Sequence, residues 1–403
     1  MTDVKTFMNE NRALAIELEK LLTSVKAMAP QSGGDGESEK CAALKKWLSD
    51  HGFEHLEQFD APDSRVSSGL RPNLVATIPG QSDEYTVWSI AHMDVVPTGD
   101  LKLWNTNPWE CVEKDGILYG RGVEDNQQGL VSGVLAALYY IQNKIKPSHT
   151  IKLLFAADEE CGSDYGMIWL LNNTKLFKKE DLILIPDGGD PKGETIEIAE
   201  KNLMWLKVRV LGKQTHGSRP DSGANACLAA SDLALRINGL EKVFDKRDPL
   251  FEPPYSTFQP TMRFKNVDGI NIIPGEDISC FDCRILPCYT LKEVQSKVDE
   301  ICKKVSERYG VKIDYELPQH SESPATPSDA PVVKKLAAAL KKVHGIDAKC
   351  IGIGGGTVAA ELRRLGIDAA VWSTLDDQAH QPNEYCKVDN LLADAMTLVE
   401  LFN

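Results

Sequence analysis

The chain has 403 residues, 42% of them hydrophobic, and carries a formal charge of -14. That length exceeds what one hydrophobic core usually supports, so two domains are expected, and the acidic balance without a basic block excludes a surface that wraps a nucleic acid backbone. No apolar run is long enough to span a membrane, and Met1-Thr-Asp-Val-Lys-Thr6 lacks the apolar core of a signal peptide, so a cytoplasmic protein acting on small molecules or peptides is expected.

Helical patterns run from Met1 to about Ser24 and from Glu37 to Asp50, broken by Gln31-Ser-Gly-Gly-Asp-Gly36. Strands follow at Asn73 to Ile78 and Tyr85 to Ile90. The run from Glu110 to Gly120 reads as a hairpin turning at Asp115-Gly116. Long apolar patterns then alternate: a helix over Gln127 to Ile145, a strand over Ile151 to Ala157, a helix over Asp164 to Asn173 and a strand over Leu182 to Ile185. Buried strands separated by helices predict an α/β domain with a mainly parallel central sheet flanked by helices.

Near residue 200 the pattern changes. Leu203 to Leu211 alternates like a half-solvated strand, Asn225 to Leu240 is helical, Asp277 to Leu286 alternates again, Leu291 to Tyr309 is helical and Val311 to Leu317 is a strand. This predicts an inserted α+β sandwich at 203–317 inside a discontinuous domain of 1–202 and 318–403. The pattern of the first 200 residues resumes after Ser321-Glu-Ser-Pro-Ala-Thr-Pro-Ser328 with a helix over Ala330 to Val343. Ten scattered cysteines fit reduced thiols. Cys280-Phe-Asp-Cys283 has no matching pair elsewhere and lies in a strand that puts its thiols on opposite faces, so no metal or redox role is expected there.

Five short segments stand out in order: His92-Met-Asp94, Asp125-Asn126, Asp158-Glu159-Glu160, Asp187 in Pro186-Asp-Gly-Gly189, and His380-Gln-Pro382. Four follow the ends of apolar runs, and parallel sheets gather ligands at the carboxyl ends of their strands. Each has a bland reading alone: Asp125 as a helix cap, the acidic triplet as a solvated turn, Asp187 and His380 as turn residues. Three like charges at the mouth of a buried strand would repel unless a cation offsets them. Two metal ions about 3.5 to 4 Å apart, bridged by a carboxylate and served by a further carboxylate as base, account for all five segments together. Asp94, two residues beyond His92, can fix the orientation of that imidazole.

These segments resemble those of the co-catalytic zinc amidohydrolase family that includes acetylornithine deacetylase, succinyl-diaminopimelate desuccinylase, aminoacylase, carboxypeptidase G and bacterial di- and tripeptidases. The resemblance spans essentially the whole chain. It implies a zinc-peptidase-like catalytic domain, two Zn2+ per subunit with Co2+ or Mn2+ also able to bind, one ion on His92, Asp125 and Asp187, and the other on Asp125, Glu160 and His380. It further implies Glu159 as general base, Asp94 as the partner of His92, and a cis bond between Asp125 and Asn126. The inserted segment resembles a lid through which the family dimerises. Its Thr215-His216-Gly-Ser-Arg219-Pro resembles the loop whose histidine stabilises the oxyanion, typically in the neighbouring subunit.

Substrate-contacting elements implied by the resemblance are Asn271 in Asn271-Ile-Ile-Pro274, Arg219, and Arg284, for which pairing with Asp282 or Glu276 is the competing reading. The Gly352-Ile-Gly-Gly355-Gly356-Thr357 turn fails both nucleotide-loop patterns and survives as a site for a substrate carboxylate. Deacylases of the family usually carry Glu at the ligand position occupied here by Asp187, whereas aminopeptidases and dipeptidases usually carry Asp. The expected reaction is therefore hydrolysis of short peptides with a free amino end by a homodimer joined through the lid, with N-acyl amino acid deacylation as the alternative and a non-catalytic relative as a remote one.

Overall fold

In the computed structural model, which describes residues 3–403, an eight-stranded sheet runs in the order His55–Pro62, Leu70–Ile78, His149–Ala156, Ser82–His92, Leu182–Asp190, Ala369–Thr374, Thr195–Glu200, Lys349–Ile353. The expected helical residues Met1 and Thr2 lie outside the described residues. The four strands from His149–Ala156 to Ala369–Thr374 are mutually parallel, whereas the pairings traced on either side of them are antiparallel. Their sequences are continuous apolar runs because both faces are covered: Val87, Trp88, Ile90, Leu154, Phe155, Ile183, Ile185 and Val371 are all buried. Each such side chain contributes roughly 1.5 to 3 kcal/mol by leaving water. The helix Gly129–Gln142 is apolar on every side and buried through Tyr140, and it packs against Val388–Phe402.

Two units emerge from the contacts. One comprises residues 1–198, 326–351 and 357–403; the other comprises 199–325 and 352–356, wider than the 203–317 expected from the change of pattern. The second unit has an antiparallel sheet ordered Thr257–Arg263, Glu276–Ile285, Asn202–Leu211, Lys312–Glu316. Alternation along Asn202–Leu211 sends Met204, Leu206, Val208 and Val210 into a core shared with Leu233, Phe281, Val294 and Val298, the last two from the helix Leu291–Tyr309. That helix begins with a capping box between Thr290 and Glu293.

Among strands longer than three residues, sequence reading missed three. His55–Pro62 is a half-exposed edge strand rich in polar residues, Thr195–Glu200 places Glu197 and Glu200 among its buried residues, and Thr257–Arg263 contains Pro260, which an edge position tolerates. The hairpin Val112–Lys114 and Ile117–Tyr119 turns at Asp115-Gly116 as expected. The predicted helix over Gln127 to Ile145 instead spans Gly129–Gln142, preceded by an irregular turn at Val123–Gln128. All ten cysteines are free, Cys283 buried and Cys280 half-buried as their alternation requires. No helix among the described residues is long and apolar enough to cross a membrane.

Candidate metal centre

Ends of the central strands deliver His92 and Asp187 directly, and the turns just beyond strand ends deliver Glu159 and Glu160. The irregular turn before Gly129–Gln142 carries Asp125, and a loop after Ala369–Thr374 carries His380 with a left-handed φ of 65°. Asp125 stands between the imidazoles: its Oδ1 lies 3.0 Å from His92 Nε2 and its Oδ2 lies 3.1 Å from His380 Nε2. Asp187 Oδ1 is 3.8 Å from His92 Nε2, and Glu160 Oε2 is 2.9 Å from His380 Nε2. Donor atoms of His92, Asp125 and Glu160, and of His92, Glu159 and Asp187, fall within 4.8 Å of one another. The peptide bond joining Asp125 to Asn126 is cis.

This arrangement fits metal ions on its own chemistry. His92 Nδ1 is 2.9 Å from the Asp94 backbone carbonyl and donates to it, which turns Nε2 toward two carboxylates; in the ion-free protein Nε2 carries a proton shared with Asp125, the position a metal ion would take. Oε1 of Glu160 is buried without a hydrogen-bond partner. Burial, reinforced by Asp125 and Glu160, pushes Asp187 up to about 8. Burial likewise lifts Glu159 well above the usual carboxylate range. Hydrogen bonds to Asp125 and Glu160 raise His380 to about 10. Burial opposes ionisation of Asp125, yet hydrogen bonds from His380 and His92 hold it well below its ordinary value. Carboxylates crowded at this density favour a cation among them.

Two further contacts bear on the acidic turn. Asp94 orients His92 through its backbone carbonyl; its carboxylate stands 3.6 Å from Nδ1 and instead accepts the backbone N–H groups of Glu159 at 3.0 Å and Glu160 at 3.1 Å. It therefore fixes the acidic turn. Asp158 is offset by a protein cation, Arg71, whose Nη2 is 3.1 Å away and whose Nε donates to Glu37 at 2.6 Å, all of them buried. Nothing in the segment around Arg71 signals that role in sequence.

Sequence reasoning also gave no role to Asn126. Its amide donates to Asp187 Oδ1 at 2.7 Å and to the Pro186 carbonyl at 2.6 Å. The close approach depends on Gly129, where a Cβ would lie 2.2 Å from that same carbonyl.

In the second unit, His216 is exposed on a short ribbon that pairs Thr215–His216 with Ile272–Ile273. The Asn271 backbone carbonyl accepts the Gly217 N–H at 2.7 Å, and the Arg219 N–H donates to the His216 carbonyl at 2.8 Å. Arg284 is engaged: it grips Asp282 at 2.8 and 3.0 Å and donates to the Gly354 carbonyl at 2.7 Å, while Glu276 pairs with Arg209. Gly355 and Gly356 are exposed. Thr357 accepts the N–H of Ala359 at 3.1 Å, just ahead of a helix of only six residues.

Residues 89–403 match the family described as Peptidase family M20/M25/M40. An uncharacterised metallohydrolase of Methanococcus maripaludis is 42% identical over 96% of this chain and 98% of its own. A succinyl-diaminopimelate desuccinylase of a Wolbachia pipientis strain from Culex pipiens is 26% identical over 93% of this chain and 89% of its own. The crystal structure of aminopeptidase PepT from Bacillus cereus has the same fold, with a TM-score of 0.78 at 20% identity, covering 97% of this chain and 98% of that one.

Proposed function

This chain belongs to peptidase family M20/M25/M40 and is a metallohydrolase; on that premise we propose that it cleaves the amide bond of di- and tripeptides bearing a free amino end, using two metal ions. The observation that carries the reading is Asp125, each of whose oxygens faces a different imidazole. His92, Asp125 and Asp187 would hold one ion and Asp125, Glu160 and His380 the other. Mixed imidazole and carboxylate donors suit zinc, with cobalt or manganese as substitutes. Bound there, two divalent ions would acidify water and withdraw electron density from the scissile carbonyl.

The chain's own groups supply the proton traffic. Glu159 takes the proton of the attacking water on its carboxylate and hands it to the leaving amine; burial raises its proton affinity above that of an ordinary carboxylate, which favours the first of those transfers. Asp94 holds Glu159 and Glu160 by their backbone amides. His216 receives the Ser218 backbone N–H on Nδ1 at 3.2 Å, so the neutral ring carries its proton on Nε2, ready to donate to a developing oxyanion. In this reading the donor serves the partner's site in a homodimer joined through the inserted unit.

Asp187 supports a free-amino substrate. Desuccinylase relatives favour a second reading, deacylation of N-acyl amino acids. Turnover of zinc-reconstituted protein on free-amino di- and tripeptides against N-acetyl and N-succinyl amino acids tests the choice. Peptide cleavage blocked by N-acetylation is expected; preference for the acylated panel would replace the peptidase reading with the deacylase one.

A further inference from the structure

Two buried carboxylates outside the proposed chemistry join the loops that carry Asp125 and His380. Glu384 is fully buried. Its Oε1 accepts the backbone N–H groups of Glu124 at 3.0 Å and Asp125 at 3.1 Å, and its Oε2 accepts the Gly122 N–H at 2.9 Å and the Arg121 guanidinium at 2.6 Å. Glu124, 3% exposed, reaches the other way: its Oε1 accepts the Asp376 N–H at 2.7 Å, and its Oε2 accepts the N–H of Gln378. Each glutamate thus sits on the loop of one candidate ligand and holds the backbone of the other.

The loops need such a device. Asp125 and Asn126 have non-helical backbone angles, and both Asp377 and His380 have positive φ, so no regular ladder satisfies the amides nearby. Four carboxylate oxygens accept those amides in its place. We propose that Glu124 and Glu384 are positioning residues, a reciprocal clasp that fixes Asp125 and His380 relative to one another before any ion arrives. The inference rests on the reading of Asp125 and His380 as ligands of one two-ion site.

The test is titration of ion-free, full-length protein with cobalt, followed by visible absorption, with H380A marking the step that depends on His380. Glu124→Gln replaces one acceptor oxygen by an amide that cannot receive a backbone N–H. It is expected to weaken the His380-dependent step by about 10- to 100-fold, the usual effect of removing a partner that orients a ligand, and to alter its absorption band. Glu384→Gln should weaken both steps, because Asp125 serves both ions; since that variant also strips Arg121 of its partner and puts folding at risk, Glu124→Gln decides. Wild-type cobalt steps and spectra in Glu124→Gln, whatever its melting temperature, overturn the clasp. Wild-type protein that takes up no cobalt overturns the two-ion reading and the clasp with it. Cobalt uptake weakened in Glu124→Gln, but without turnover of any amide by the wild type, upholds the clasp and overturns the proposed function alone.

Discussion

Replacing Asp94 by asparagine separates orientation of His92 from support of the acidic turn. The Asp94 carboxylate receives two backbone N–H bonds, from Glu159 at 3.0 Å and Glu160 at 3.1 Å, while His92 leans on the Asp94 carbonyl, which the substitution keeps. Asparagine preserves one accepting oxygen and sets an NH2 group against the other N–H. Two bonds to a charged acceptor, each about 1.5 to 3 kcal/mol, become one neutral bond of about 1 kcal/mol, so the ion-free protein should lose roughly 3 kcal/mol. Urea unfolding measures that loss. Slippage of the turn by about 1 Å should misplace Glu159 and lower kcat by about 100-fold, with the ion at His92 bound as in the wild type. Full stability and full rate in Asp94→Asn would refute the reasoning. Loss confined to the affinity of the His92 ion would show that the carboxylate serves the imidazole after all.

Glu159→Gln should retain both ions and lose about 100-fold or more in rate, read by metal analysis beside steady-state kinetics; near-normal turnover would remove its role as base. His216→Ala should lose about 100- to 1,000-fold in kcat at unchanged metal content. Mixing it with Glu159→Gln should restore activity through hybrid dimers if the histidine serves the partner's site, and no recovery would confine it to its own subunit. In the ion-free protein His380 sits at about 10 and Asp187 at about 8, both protonated at pH 7, whereas ions bind the deprotonated forms. Cobalt uptake at pH 7 should therefore release protons and its apparent affinity rise from pH 6.5 to 8.5, as calorimetry in buffers of different ionisation enthalpy would show; a flat profile would contradict the raised values.

What sequence made legible follows from packing. His92, Asp187 and the acidic turn announce themselves because the strands before them are covered on both faces and read as unbroken apolar runs that stop at a polar residue. His380 is placed by family resemblance more than by its surroundings, since it lies on an irregular loop. Glu124, Glu384 and Arg71 carry no local signal: a buried charge looks like a surface charge until the fold supplies its partner. Arg284 shows the converse, a plausible substrate clamp already held by Asp282 and Gly354. The edge strand at Thr257–Arg263 is hidden by Pro260, which argues against a central strand but not against an edge.

The position of Ala369–Thr374 also bears on how the protein is made. This strand lies between Leu182–Asp190 and Thr195–Glu200, neighbours in sequence that are not neighbours in the sheet. A chain emerging from the ribosome amino terminus first must keep that slot open, with an apolar strand edge unpaired, until some 170 further residues have been added. The segment that fills the slot leads directly into His380. On the two-ion reading proposed above, closing the sheet and completing the ligand set would be one late event, so a fragment stopping short of residue 380 is expected to be prone to strand pairing with other chains and to lose the second ion.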